Sequence, residues 1–289
     1  MVKLNKILSD NKHLLDTEFA EIFKEEENSL ELTGEAMNYI LNIGGGGKRI
    51  RSGFVNLINI SFSGDSNVAF DFAKAIEMIH GYTLIIDDIQ DNALIRRGEK
   101  ACHIKYGVNT SILAASRLFE KGTGYFHKNL DELFVFSGLS DNLHRGQSAD
   151  LDSESWNINQ RTLRNLKFIH GGKTSSIIQM AALGGCAAAN LNSEETHKIT
   201  QFAYYLGLAY QATDDILTIE GKQSLLGKAT GEYIDGNKLT YPNLLGSLNT
   251  CKKELKGLVS SAKLQIEGLN SEKTTILYEL LDFITHRKF

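Results

Sequence analysis

Asp87, Asp88 and Asp91 close an apolar run, AIEMIHGYTLIIDDIQDNALIRRG over residues 75–98, and Arg96 and Arg97 follow them. Two like charges about 5 Å apart repel by roughly 3 kcal/mol at an effective dielectric of ~20, so clustered carboxylates call for a cation. At about 100° per residue, a helix puts Asp87 and Asp91 on one edge and Asp88 about 100° round from them. That geometry offers oxygens to a hard divalent cation, and Mg²⁺ characteristically joins a few carboxylates to substrate phosphates. The bland alternative is a helix end whose charges face solvent. Ile85, Ile86 and Ile89 around the acids favour the cation site.

A second acid pair, Asp214 and Asp215, sits in LAYQATDDILTIEG over 208–221, again on an apolar background. Two such pairs in separate helices are much less expected by accident than one. Upstream, the glycine run 44–47 leads into Lys48, Arg49 and Arg51. Glycine backbone before clustered cations at a helix start is an anion cradle, whereas a plain linker would not need the cations. The lysine does not precede Ser or Thr, so this is not the phosphate loop of nucleotide hydrolases.

The elements that must position these residues read as helices. Amphipathic or apolar spacing predicts helices over about 3–26, 31–43, 75–91, 109–136, 160–169, 193–221, 242–268 and 272–286. Gly122 and Gly124 weaken the fourth of these, and His170-Gly171-Gly172 breaks the chain before a small-residue helix running through Ala189. The chain contains one proline, Pro242, which suits long uninterrupted helices. No convincing alternating strand is found, so the expected fold is an all-α bundle in a single domain over 1–289. A net charge of −4 gives no sign of a nucleic-acid surface. No run approaches the ~20 apolar residues of a membrane span, and the first residues lack a signal-peptide core. The three scattered cysteines fit a reduced, cytoplasmic protein.

In order and spacing the motifs resemble those of the trans-prenyl diphosphate synthases, particularly the bacterial farnesyl and geranylgeranyl enzymes. GGKRIR at 46–51 is similar to GGKRxRP, DDIQDNALIRRG at 87–98 to the first aspartate-rich motif, and GQSADL at 146–151 to GQxxDL. KTSS at 173–176, YQATDDILT at 210–218 and GKATGEYIDGNKLTYP at 227–242 follow the family's later motifs. The resemblance implies an isoprenoid-synthase bundle around a central cavity, commonly a homodimer. It also implies Mg²⁺, three ions per active site, held by Asp87, Asp88, Asp91, Asp214 and Asp215. By the same resemblance Arg96, Lys173 and Lys228 contact the diphosphate of an allylic substrate (dimethylallyl, geranyl or farnesyl), with Thr174, Gln211 and Lys238 as further candidates. Lys48, Arg51, His80 and Arg97 would take the diphosphate of isopentenyl diphosphate. Breaking the allylic C–O bond leaves a carbocation and a charged diphosphate, which explains the metals and cations.

Three departures stand out. Thr218 replaces the last acid of the second motif, Tyr233 replaces an acid in the following loop, and Asn237 precedes Lys238 where the family has glycine. Two rival readings are a class I terpene cyclase, against which Lys222 stands where an acid is needed, and a non-catalytic partner subunit, against which the first motif is intact. Tyr82 and Thr83, five and four residues before Asp87, occupy the family's chain-length positions, and an aromatic there resembles geranylgeranyl-type enzymes, with farnesyl close behind.

Overall fold

The computed structural model describes residues 2–22, 32–128, 130–226 and 238–287. Its contacts divide the chain into two compact units, Val2–Leu133 with Gly184–Asn190, and Phe134–Leu183 with Leu191–Phe289.

The first unit contains α1 (Val2–Ile22), α2 (Leu32–Asn42), a 3₁₀ turn (Ile43–Gly46), α3 (Ile50–Phe62) and α4 (Ser66–Gln90). A hairpin of β1 (Ile95–Arg96) and β2 (Glu99–Lys100) follows, then α5 (Cys102–Tyr106) and α6 (Val108–Gly124). The fold is all-α, as expected; the two-residue ladder, with Arg96 opposite Glu99, is a small strand pair that alternation could not reveal. Asp65 starts α4 by accepting from the backbone N–H groups of Asn67 and Val68. The helix then runs unbroken and packs on α3 and α6. Its contact with α6 is close because Gly122 lacks a side chain: a Cβ there would lie 2.7 Å from Ile79 and 2.9 Å from the Ala75 carbonyl oxygen. The helix expected over 109–136 is two helices, since a 3₁₀ turn at Tyr125–Lys128 separates α6 from α7 (Leu130–Ser153).

Arg49 ties this unit together. It caps α3 in a left-handed conformation, φ 49°, and is 4% exposed. Nη1 donates to Glu77 Oε2 at 2.9 Å, Nη2 to Asp16 Oδ1 at 3.1 Å and to the Leu41 carbonyl at 2.7 Å. Glu77, itself buried, also accepts from the Ser52 N–H at 3.3 Å. One guanidinium therefore joins α1, α2 and α4 at the first turn of α3.

The second unit receives α7 from Phe134 onward, then α8 (Leu163–His170), a π-helical turn (Gly171–Ser175), α9 (Ser176–Ala188) and α10 (Ser193–Leu226). It closes with α11 (Tyr241–Leu245), α12 (Leu248–Gln265) and α13 (Ser271–Thr285). The break expected at 170–172 is absent: the π turn carries helical backbone from α8 into α9. The glycines serve packing instead, since a Cβ on Gly172 would meet the Gly146 Cα and one on Gly146 the Lys173 nitrogen, both within 2.5 Å. The helix expected over 242–268 is split by Gly246, which ends α11 at φ 71°. The small residues late in α9 also pack: a Cβ on Gly185 would lie 2.8 Å from Ile58 within the first unit. Among the described residues no helix is long and apolar enough to cross a membrane. All three cysteines are free and buried.

Candidate functional site

The end of α4 separates the three acids of the first motif. Asp88 is fully buried, Asp87 has a quarter of its side chain exposed, and Asp91 is exposed. The hairpin turns Arg96 back onto them. Its Nε donates to both Asp88 oxygens at 2.9 and 3.1 Å, and Nη2 reaches Asp88 Oδ1 too. Asp87 Oδ2 lies 3.8 Å from the same Nη2. The hydrogen bonds to Asp88 raise the Arg96 pKa against its burial. Asp88 therefore presents its oxygens to a guanidinium, and the more exposed acids of the trio are Asp87 and Asp91.

Arg97 has φ 51° and extends toward the glycine run. Nη1 donates to the Ile43 carbonyl at 3.3 Å. A Cβ on Gly44, φ 57°, would lie 2.5 Å from the Arg97 Cβ, and one on Gly47, φ 73°, 2.7 Å from Nη2. Only glycine satisfies both the backbone and the close approach there. One turn into α3, Arg51 Nη1 lies 3.4 Å from His80 Nε2. The other ring nitrogen, Nδ1, is 3.3 Å from Thr83 Oγ1, which donates to the His80 carbonyl. Burial, then Arg51, Arg97, Arg49 and Arg96, push the His80 pKa well below the usual imidazole range. A neutral ring with its proton on Nδ1 satisfies every contact, leaving Nε2 to accept from Arg51. Lys48 is exposed at the turn before α3. Arg97, Arg51 and Lys48, beside the neutral His80, make a positive basin suited to a multiply charged anion.

Of the chain-length pair, Tyr82 packs its ring 4.9 Å from that of Phe119 on α6. Thr83 is turned to His80 instead. Phe119 was not legible as a partner, because nothing in sequence spacing registers α6 against α4.

In the second unit the polar side chains form a chain of hydrogen bonds. Lys173 Nζ donates to Asp150 Oδ2 at 2.7 Å. Thr174 Oγ1 donates to Gln211 Oε1 at 3.2 Å, and Gln211 Nε2 to Asp215 Oδ1 at 3.2 Å. Asp215 Oδ2 accepts from the Tyr241 N–H at 3.0 Å. Burial outweighs these bonds and lifts the Asp215 pKa to about 6. Asp214 is more open and pairs with Arg287, a residue the sequence reading did not single out. Thr218 Oγ1 donates to the Asp214 backbone carbonyl at 2.9 Å, so its hydroxyl is committed to its own helix. Lys238 leads into α11, where its carbonyl accepts from Asn243. Lys228, Tyr233 and Asn237 lie outside the described residues.

Each adjacent acid pair thus has one buried member satisfied by protein donors and one open member. Among the described residues no three His, Cys, Asp or Glu side chains converge to cage a metal by themselves. Mg²⁺ does not require that, because it keeps waters and binds through one or two carboxylates with substrate phosphates. Asp87 and Asp91, one helical turn apart on one edge, fit such an ion.

Residues 31–276 match the Polyprenyl synthetase family. The chain is 30% identical to a farnesyl diphosphate synthase of Bacillus subtilis over 99% of its own length and 98% of the relative's. It is 34% identical to the large subunit 2 of a heterodimeric geranylgeranyl pyrophosphate synthase of Arabidopsis thaliana, covering 88% of this chain and 69% of that one. Among solved structures, geranylgeranyl pyrophosphate synthetase from Pyrococcus horikoshii superposes with a TM-score of 0.80 at 25% identity, covering 99% of both chains. A geranyltranstransferase from Thermotoga maritima gives 0.81 at 23%, over 97% of this chain and 99% of that one, which speaks for the fold. Matched over residues 31–276 by the family and over nearly its whole length by the Bacillus subtilis enzyme, this protein belongs to the polyprenyl synthetase family and is a prenyltransferase.

Proposed function

We propose that this chain, as one catalytic domain, condenses isopentenyl diphosphate with an allylic diphosphate to give a short linear prenyl diphosphate, geranylgeranyl favoured over farnesyl. The observation that carries the reading is the arrangement in the first unit. Open acids at Asp87 and Asp91 adjoin Arg96, while Arg51, Arg97, Lys48 and a neutral His80 gather beside the glycine run.

In this reading Asp87 and Asp91 would serve as Mg²⁺ ligands in the first unit, and Asp214 would serve as one in the second. Asp88 and Asp215 keep the surrounding groups in place. Bound Mg²⁺ supplies electrostatic stabilisation of the diphosphate leaving group. Arg96, held on Asp88, would add a fixed positive charge for the allylic diphosphate; Lys173, Thr174, Gln211, Lys228 and Lys238 are proposed as further contacts of that group on the family resemblance alone. The C–O bond of the allylic substrate breaks, and its carbon is attacked by the double bond of isopentenyl diphosphate. A proton then leaves to the departing diphosphate, so no side-chain nucleophile is needed. Lys48, Arg51 and Arg97 hold the isopentenyl diphosphate during attack, and His80 Nε2, accepting from Arg51, positions that guanidinium. Fixed donors of this kind need no reorganisation as charge develops. The proposed site is cytoplasmic and the assembly a homodimer; exposed Val108 and Ile112, one turn apart on α6, give part of the apolar surface that such an interface uses.

Incubation with Mg²⁺, isopentenyl diphosphate and each allylic diphosphate, followed by mass analysis, tests the proposal. Linear prenyl diphosphates are the expected products. Free hydrocarbons would turn the reading to a cyclase, and no turnover would turn it to a partner subunit.

Tyr82 with Phe119 is proposed to stop chain growth. Tyr82→Ala removes the ring from that contact, and the product is expected to gain at least one five-carbon unit. An unchanged product length in the same mass analysis would refute the stopper.

A further inference from the structure

Arg287 is a half-buried cation that the reaction as proposed does not use. Its guanidinium lies 4.0 Å above the Tyr210 ring, and Nη2 donates to the Tyr210 carbonyl at 3.2 Å and to Asp214 Oδ1. Its side chain is 14% exposed, against 42% for Asp214. The arginine is thus held from one side by stacking and from another by backbone, with its charge delivered to one carboxylate oxygen.

The second acid pair has little charge to share. Asp215 gives one oxygen to Gln211 and the other to the Tyr241 N–H. The position one turn after Asp214 is Thr218, whose hydroxyl bonds back to the helix. Asp214 is the more exposed carboxylate of this pair, and Arg287 donates to its Oδ1. The first motif is arranged the other way: Arg96 bonds the buried Asp88 and stands 3.8 Å from the open Asp87. In the first motif the arginine's hydrogen bonds go to the buried acid, whereas in the second they go to the more exposed acid, where the arginine competes with a metal.

We propose that Arg287 is a built-in counter-ion that holds Asp214 in the metal-free protein and sets how strongly this acid pair takes a divalent cation. This rests on the reading of Asp214 as a metal ligand. A cation arriving at Asp214 must displace the guanidinium from Oδ1 or share the carboxylate with it at close range. The second motif therefore fills later in a metal titration than the first.

The test is Mn²⁺ binding to the full chain without substrate, followed by the magnetic-resonance signal of free Mn²⁺. Arg287→Ala is expected to tighten the weaker class of sites by up to about fivefold, the range set by losing one partly exposed charge pair. Arg287→Gln, which keeps most of the stacking on Tyr210, should do the same, and Arg287→Lys should stay near the parent. Unchanged or weaker Mn²⁺ binding in both Arg287→Ala and Arg287→Gln, with Asp214→Ala losing the weaker sites, would overturn the counter-ion role alone. Asp214→Ala binding Mn²⁺ like the parent would overturn the metal-ligand reading, and the proposal with it.

Discussion

Asp87→Ala is expected to lower kcat by about 10²–10³-fold, the usual loss when one fixed electrostatic stabiliser of a developing charge is removed. The helical content and the unfolding midpoint should stay near those of the parent. Asp87 is partly open and 3.8 Å from Arg96, so its loss leaves no buried charge stranded. Asp88→Ala should behave differently although it is the neighbouring residue. Its carboxylate is fully buried and accepts two hydrogen bonds from Arg96 Nε alone, so removing it frees a guanidinium and opens a cavity. Activity should fall and stability should fall with it. Steady-state kinetics beside a urea melt separates the two outcomes. Near-normal kcat in Asp87→Ala would remove the metal assignment from the first motif.

Glu77→Ala is expected to destabilise the protein by about 3–5 kcal/mol, the range for breaking a buried ion pair from one side. Glu77 is 3% exposed and Arg49 is 4% exposed, so the stranded guanidinium cannot reach bulk water without disturbing α1, α2 and α4 together. Asp16 and the Leu41 carbonyl remain as partners but supply only part of the lost charge. Arg49 opens α3 between Lys48 and Arg51, so the loss should also raise the Michaelis constant for isopentenyl diphosphate. A urea unfolding curve measures the first effect. A shift below about 1 kcal/mol, the scale of a solvent-exposed pair, would contradict the burial argument.

The all-α class, most helix spans and both acid pairs were legible because apolar periodicity and acid spacing are local. What was not legible depended on partners far along the chain. Asp87 and Asp88 look alike in sequence; which one faces Arg96 is decided by a hairpin whose strands are two residues long. Arg49 reads as one more cation of a basic cluster, yet it is a buried structural residue because Glu77 lies opposite. Gly171 and Gly172 read as a helix break, but the missing side chain of Gly172 lets its backbone touch that of Gly146, and Gly171 lies against the Tyr204 ring. Arg287 carries no motif at all. Its role depends on where α13 ends beside Tyr210, which no spacing encodes.

The glycine run has a thermodynamic consequence of its own. Four consecutive glycines ordinarily wander through many backbone states, and a loop that must order itself around a ligand loses that entropy on binding. Here Gly44 and Gly47 are hemmed in by the side chain of Arg97, and Gly46 by Arg49 and Asp16, before any anion arrives. The ordering has already been done by folding. Anion capture at this run should then be rapid and nearly temperature-independent in its structural part, the behaviour of a rigid receptor rather than a closing loop.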